Sequence, residues 1–268
     1  MKKSFLITVS SLLLVSIATF GYVKLSETDL NTEVSCAEVD EENELTSQEI
    51  GPFQSEEFIY RIGHRFNTAV TKSQVAKANS IFDLLPYDAP DIDRLSEFAY
   101  NKVDTFPNKD QTYLYSDGEA LSPQQKTMLN EMSISSNFFI ASNCKFANSE
   151  SGLLEDYRLV YHITVVPDQS AEYSLGLDSL YNLMRSANNK YMAGIDWERL
   201  WPGRVAFCIN KKGEVTRVVT EMASGQKDID ANMVELIKSM PGTWSPAKDA
   251  QGNPVKQEFN FFYGIEGC

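Results

Sequence analysis

The chain has 268 residues, of which 43% are hydrophobic and 11% are aromatic. That content is enough to bury a core, and it excludes a wholly disordered chain. The net charge is -13, from 24 basic and 37 acidic residues, and no basic stripe is present to meet nucleic-acid phosphates. We therefore predict one or two folded domains and no nucleic-acid partner.

An apolar segment lies near the start of the chain. Residues 5–23 are 19 uncharged, mostly apolar residues, which as a helix would reach about 28 Å, close to the thickness of a bilayer core. Lys2 and Lys3 precede this segment, so the positive-inside rule predicts a cytoplasmic N-terminus and an exported body. The alternative is a signal peptide cleaved near Ser16-Ile17-Ala18. Both interpretations of residues 1–25 export the remaining chain.

The acidic residues are concentrated in the next segment. Residues 26–57 contain eleven Asp and Glu residues and no Lys or Arg. Such a segment has too little apolar surface to offset its chain entropy, so we predict a disordered, acidic tether. An acidic face of a folded domain would need apolar residues at a helical or strand period, and none is kept here.

Four cysteines in an exported chain permit disulfides. They are Cys36, Cys144, Cys208 and Cys268, and three full pairings are possible. A bridge between Cys144 and Cys268 would join the two folded stretches described below. Buried, inert thiols are the alternative.

Residues 58–166 are predicted to form an α+β domain. It begins with a half-buried strand, in which Phe58, Tyr60, Ile62 and Phe66 share one face. A helix should follow from the cap Thr71 until Pro86, and a second helix should open at Ser122-Pro123. Two strands, 137–146 and 157–166, complete the domain. No motif in this stretch indicates a chemistry.

Residues 167–268 are predicted to form a second α+β unit. A helix precedes a hairpin whose strands, 203–209 and 214–219, flank a tight turn with Gly213 at a position that needs positive φ. A helix from Asp230 to Pro241 and a last strand, 255–263, follow. This order places the last strand beside the first, in a small antiparallel three-stranded sheet with helices on one face.

The second unit contains distinctive short motifs at its turns and at the ends of its helices and strands. It includes Gly203-Arg204-Val205, Ile229-Asp230, Trp244-Ser245-Pro246-Ala247-Lys248 and Gly252-Asn253-Pro254-Val255. With the turn at Gly213, these motifs resemble the TonB C-terminal domain, in the form common among Bacteroidetes-type sequences. The resemblance covers about residues 167–268, and we take six residues as its structural motif: Gly203, Gly213, Asp230, Trp244, Pro246 and Gly252.

The resemblance implies a function. It suggests a TonB-like energy transducer with a single inner-membrane anchor and a folded body in the periplasm, taking part in transmembrane transport. There, the edge of its sheet would pair with an extended segment of an outer-membrane TonB-dependent transporter. An edge strand suits this role because it offers unpaired N–H and C=O groups. We predict the last strand to be that edge, with partner-binding residues Lys256, Gln257, Glu258, Phe259, Asn260 and Phe261.

Two departures from the family weaken the case for energy coupling. The well-known members carry a His in the anchor, which couples to an ExbB–ExbD-type motor, and residues 5–23 contain none. Their tether is long and rich in Pro, whereas residues 26–57 contain only Pro52. An envelope adaptor or sensor with no energy coupling is therefore the alternative function.

Catalytic chemistry has little support in the sequence. The chain has only two histidines, His64 and His162, and both fall in predicted strands. The sequence therefore offers few residues for a His-based metal site or catalytic triad. Ser142-Asn143-Cys144-Lys145 matches the Ser-x-x-Lys nucleophile motif, but its companion motifs are missing. We predict no enzyme activity, no metal and no cofactor.

Overall fold

The computed structural model describes residues 57–86, 94–107 and 113–265, which belong to one compact unit. The predicted anchor and almost all of the predicted tether lie outside these residues. The described chain is mixed α+β, with two main sheets that each carry helices on one face.

The strands and helices follow in chain order. The strands are β1 (Ile59–Gly63), β2 (Thr68–Thr71), β3 (Leu95–Phe106), β4 (Leu114–Asp117), β5 (Asn137–Ala147), β6 (Leu154–Val166), β7 (Glu172–Tyr173), β8 (Gly203–Ile209), β9 (Val215–Met222), β10 (Trp244–Ser245), β11 (Ala247–Lys248), β12 (Pro254–Val255) and β13 (Gln257–Gly264). The helices are α1 (Lys72–Lys77), α2 (Pro123–Glu131), α3 (Leu177–Met192) and α4 (Lys227–Lys238), with short 3-10 turns at Ile81–Leu84 and Trp197–Arg199.

The five-stranded sheet has the order β2-β6-β5-β3-β4. Its strands are antiparallel except for the pair β2 and β6. Helices α1 and α2 cover one face, where Val75 and Leu129 pack against sheet residues such as Phe138 and Ile140. Alternate residues of β5 and β6 point to the opposite face, which carries no helix among the described residues.

The four-stranded sheet is antiparallel throughout and has the order β1-β13-β8-β9. The predicted neighbours β8 and β13 do lie side by side, but the sheet has four strands rather than three. Helices α3 and α4 cover one face and contribute Met184 and Met233 to a core that includes Phe207, Phe261 and Tyr263.

The fourth strand, β1, comes from a distant part of the sequence. The sequence pattern predicts it as part of the first α+β domain, but it pairs with β13, from Ile59 opposite Gly264 to Gly63 opposite Asn260. The chain then leaves this sheet, forms the whole five-stranded sheet, and returns to complete the four-stranded one. The alternating apolar pattern of β1 predicted a half-buried strand correctly, but such a pattern does not specify which sheet the strand joins.

The first predicted helix is shorter than expected. Thr71 and Gln74 form the predicted capping box, but α1 ends at Lys77. The Asp83 carboxylate accepts hydrogen bonds from the backbone N–H groups of Asn79 (2.7 Å) and Ser80 (3.0 Å). These bonds start a separate 3-10 turn, because an Asp side chain offers the backbone an alternative to a continuing helix.

Cys144 and Cys208 are buried free thiols. The bridge considered between Cys144 and Cys268 is therefore absent, and Cys36 and Cys268 themselves lie outside the described residues. Burial raises the pKa of both described thiols, which favours the unreactive protonated form.

Candidate functional site

The last strand, β13, has a neighbour on each side. It pairs with β8 from Gln257 opposite Ile209 to Tyr263 opposite Gly203, and with β1 over residues Asn260–Gly264. The prediction that β13 has a free side is therefore wrong. The side of Asn260–Gly264 that β1 covers is called the acceptor edge below.

One further backbone group of β13 is bonded from outside the four-stranded sheet. Beyond the end of β1, the backbone N–H of Glu258 donates to the hydroxyl of Ser135, at 2.9 Å. Ser135 lies in the loop before β5, so the five-stranded sheet supplies this bond. Buried backbone groups need such partners, and here a second strand and a side chain provide them.

The six predicted binding residues differ in their contacts and in their position relative to the acceptor edge. Phe259 and Phe261 lie under the helices and are 7% and 0% exposed. The side-chain oxygen of Gln257 accepts a hydrogen bond from the N–H of Ala171 at 2.8 Å. Of the predicted set, only Asn260 and Phe261 belong to the acceptor edge; Lys256, Gln257, Glu258 and Phe259 precede it.

Two features of its side chains hold β1 in place. Tyr60 and Ile62, together with Phe58 just before the strand, point inward and join the core between the sheet and helix α3. On the opposite face, the guanidinium of Arg61 lies 5.0 Å from the centre of the Phe262 ring.

The outer edge of β1 is partly covered as well. The N–H of Ile62 donates to the hydroxyl of Tyr181 on α3, at 3.2 Å. The ring of Tyr181 also contacts Phe261 edge-on, with centroids 6.3 Å apart. Helix α3 thus contacts both β1, through Ile62, and the neighbouring strand β13, through Phe261.

At the other side of the sheet, β9 pairs with β8 and with no other strand of the described residues. Its residues are exposed or half-buried. The pairing of β8 with β9 changes register twice, and Arg217 has a φ of 49°. Irregularities of this kind twist an edge and disfavour the addition of a regular strand.

The predicted motif residues close to the hairpin have structural roles. A Cβ atom at Gly203 would lie 2.5 Å from the ring of Tyr263. Gly213 has a φ of +82°, and a Cβ there would collide with the backbone carbonyl of Trp244. The Cδ atom of Pro246 lies 3.8 Å from the same point. The hairpin turn can therefore pack against this segment only if position 213 is Gly.

The remaining motif residues also stabilise the fold. Asp230 Oδ1 accepts hydrogen bonds from the N–H and O–H of Ser224 and from the O–H of Tyr263, at 2.9, 2.7 and 2.7 Å. Trp244 is buried, with its ring 5.3 Å from that of Phe259. Gly252 has a φ of +81° in the turn before β12. These motif residues therefore have structural roles in this sheet, through packing, turn geometry and hydrogen bonds.

Both histidines lie where the two sheets meet. The ring of His64, directly after β1, stacks on Phe259 with centroids 6.4 Å apart. His162 on β6 contacts the rings of Phe66 and Phe106, at 5.1 and 5.6 Å. Burial lowers the pKa of both imidazoles, which favours their neutral forms.

An ion-paired cluster lies at the same junction. Arg65, in the connection between β1 and β2, and Arg204 on β8 each approach Glu221 Oε2 to 3.1 Å. Burial lowers the pKa of Arg204, and the nearby charge of Arg65 lowers it further, while Glu221 acts in the opposite direction. This cluster attaches the end of β1 to the opposite edge of the four-stranded sheet.

The possible nucleophile motif is not assembled. Ser142 is buried and donates its hydroxyl hydrogen bond to the carbonyl of Tyr100. Lys145, three residues later on the same strand, points to the other face and pairs with Asp156 at 2.7 Å. Within the described part of the chain, no three His, Cys, Asp or Glu side chains form a group that could hold a metal ion.

Comparisons with known proteins assign no family: no family model, no curated protein and no solved structure matches the chain. The resemblance to the TonB C-terminal domain stays a prediction. In the described ranges no helix is long and apolar enough to cross a bilayer, and residues 5–23 lie outside these ranges.

Proposed function

We propose that this protein is anchored in the inner membrane and exposes its folded body to the periplasm, where it binds an extended segment of an outer-membrane transporter and takes part in transport. The segment pairs with the acceptor edge of β13. The role is one of binding, without catalysis, metal or cofactor.

One observation carries this proposal: the acceptor edge already holds an extended strand. β1 pairs with it over five residues, and its alternate side chains fill the core beneath α3. Strand addition of this kind derives affinity from backbone hydrogen bonds and selectivity from alternate side chains. This pairing supports the proposal that the edge accepts an extended segment, although a strand of the same chain occupies it.

A partner segment must therefore take the place of β1. Exposing Phe58, Tyr60 and Ile62 to water would cost about 1.5–3 kcal/mol for each side chain. The total is roughly 5–9 kcal/mol, so an incoming segment must restore most of the lost burial. A segment that offered backbone groups alone would not displace β1.

Site-specific photocrosslinking tests the proposal. A photoreactive benzoylphenylalanine at Phe262, which lies on the acceptor edge and is half-buried, should form an adduct with the extended segment of an outer-membrane transporter. The same group at the exposed Lys238 of α4 is the control and should give no such adduct. If mass spectrometry finds equal transporter adducts at both positions, or none at Phe262, strand pairing at this edge is refuted.

The closure of the edge favours a second function, an envelope adaptor or sensor without energy coupling. In that case the four-stranded sheet is mainly a scaffold, and coupling to an ExbB–ExbD-type motor is unnecessary. Transport measured before and after a protonophore collapses the proton gradient separates the two. Loss of transport supports a transducer, and transport that continues supports an adaptor.

A further inference from the structure

We propose that β1 is an internal copy of the partner segment, so that its sequence pattern specifies what the acceptor edge binds. The partner segment would be an extended stretch of protein, antiparallel to β13, with large apolar side chains at three alternate positions. This inference rests on the proposed function and identifies the chemistry of the partner.

The inward positions define the first requirement. Phe58, Tyr60 and Ile62 are each 9% exposed or less. The rings of Phe58 and Tyr60 lie 5.1 Å apart, so the first two positions form one aromatic contact. These side chains contribute to the same core as α3 and β13. Small residues at their positions would leave cavities in this core, and charged residues would be buried without a partner.

The outward positions define a second requirement. Arg61 covers the ring of Phe262 at 5.0 Å, an arrangement in which a cation is attracted to the negative face of the ring. On the outer edge, the Tyr181 hydroxyl accepts the N–H of Ile62. An incoming strand could use both contacts, since Phe262 and Tyr181 remain when β1 leaves. The preferred segment is therefore apolar on one face and neutral or basic on the other.

The position of β1 in the chain also makes it a competitor. Only a short connection, residues 64–67, joins it to β2. A tethered strand of this kind acts at an effective concentration on the order of millimolar. A free segment with the same pattern must exceed this value to occupy the edge, unless it fits better or β1 is weakened. β1 would thereby exclude weakly matching segments.

A peptide exchange experiment on the full chain tests this inference. The probe is a labelled peptide with the sequence of residues 57–65. The intact protein should bind it with half-saturation near a millimolar. Ile62→Ala weakens only the internal strand, so the variant should bind the same peptide at least about 30-fold more tightly, equivalent to ~2 kcal/mol. Ile62→Val should give about a 5-fold gain and serves if the first variant does not fold.

Two controls locate the binding and test the pattern. Lys238→Ala, which removes an exposed side chain of α4 away from the acceptor edge, should change peptide affinity by less than about 3-fold. A peptide with Ser at the positions of Phe58, Tyr60 and Ile62 should not bind. Hydrogen exchange should show β1 amides losing protection on peptide addition, while amides of Asn260–Gly264 stay protected.

Three results would contradict these ideas, and they are distinguishable. Equal binding of the Ser-substituted peptide would overturn the proposed pattern but leave strand pairing intact. Peptide binding with β1 still protected would place the peptide elsewhere and overturn the role of β1 as competitor. No peptide binding by a folded variant whose β1 amides are unprotected would show that the edge takes no free strand, which would overturn the proposed function as well.

Discussion

Replacing Asp230 by Ala is expected to destabilise the four-stranded sheet by at least about 3 kcal/mol. One carboxylate oxygen accepts three hydrogen bonds, two from Ser224 and one from Tyr263. Ser224 and Tyr263 are 0% and 1% exposed, so water cannot readily replace the lost acceptor. Each buried donor left without a partner costs about 1–3 kcal/mol, and three such donors give the expected minimum. The hydroxyl of Tyr263 has a raised pKa, from burial and from Asp230, and therefore stays a donor.

Urea unfolding of matched variants measures this loss. Asp228→Ala changes an exposed acid in the same first turn of α4 and should cost less than about 1 kcal/mol, the usual contribution of a charge near a helix end. Tyr263→Phe removes one donor together with its hydroxyl and should cost about 1.5–3 kcal/mol. If Asp230→Ala and Asp228→Ala lower the unfolding free energy equally, the three-bond argument fails.

Five further substitutions test three features of the structure by the same unfolding assay. Ile62→Ala should cost about 2–5 kcal/mol, because it leaves a cavity under β1, whereas Arg61→Ala, which removes the contact with Phe262, should cost at most about 1 kcal/mol; equal losses would contradict the inward packing of β1. Gly213→Ala combines a positive φ with a collision and should cost well over ~2 kcal/mol, whereas Gly252→Ala has a similar φ and free space and should cost about 1–2 kcal/mol. Burial lowers the pKa of His64 below its ordinary value of 6.5, so stability should be greatest above pH 6.5 and fall below it, as the unfolded chain takes up the proton, by at most ~1.4 kcal/mol per pH unit. His64→Gln should remove that part of the pH dependence, and an unchanged profile would exclude His64 as its source.

The sequence predicted the elements whose signals are local. The Ser122 cap with Pro123 opens α2, and Gly213 forms the predicted turn between β8 and β9. The longest missed strand, β3, has an interrupted pattern, because its pairing with β5 shifts between Ser96 and Tyr100, and Glu97 has a positive φ of 49°. Such an irregularity hides the period of two on which strand prediction depends.

The candidate site could be predicted only in part. The last strand was found because its own residues alternate, but whether its edge is free depends on another segment. Ile62 and its partner Phe261 are about 200 residues apart in sequence, and an apolar alternation carries no information about the strand it pairs with. The bond from Glu258 to Ser135 is likewise formed between the two sheets, so no local pattern could have indicated it.

The position of β1 also changes where the C-terminal unit begins, and truncation can test this. Chains that start at Glu57 and at His64 differ, among the described residues, by β1 and by Glu57 and Phe58 just before it. Loss of the buried side chains of Phe58, Tyr60 and Ile62 should remove roughly 5 kcal/mol or more. A domain typically has 5–15 kcal/mol in total, so the four-stranded sheet of the shorter chain should be unfolded or close to it. Near-ultraviolet circular dichroism and urea unfolding would report this, and the peptide of residues 57–65 should restore the signal. If the shorter chain unfolds at the same urea concentration as the longer one, β1 adds nothing to the core. A C-terminal unit that begins near residue 167, as the sequence motifs suggested, would then be complete by itself.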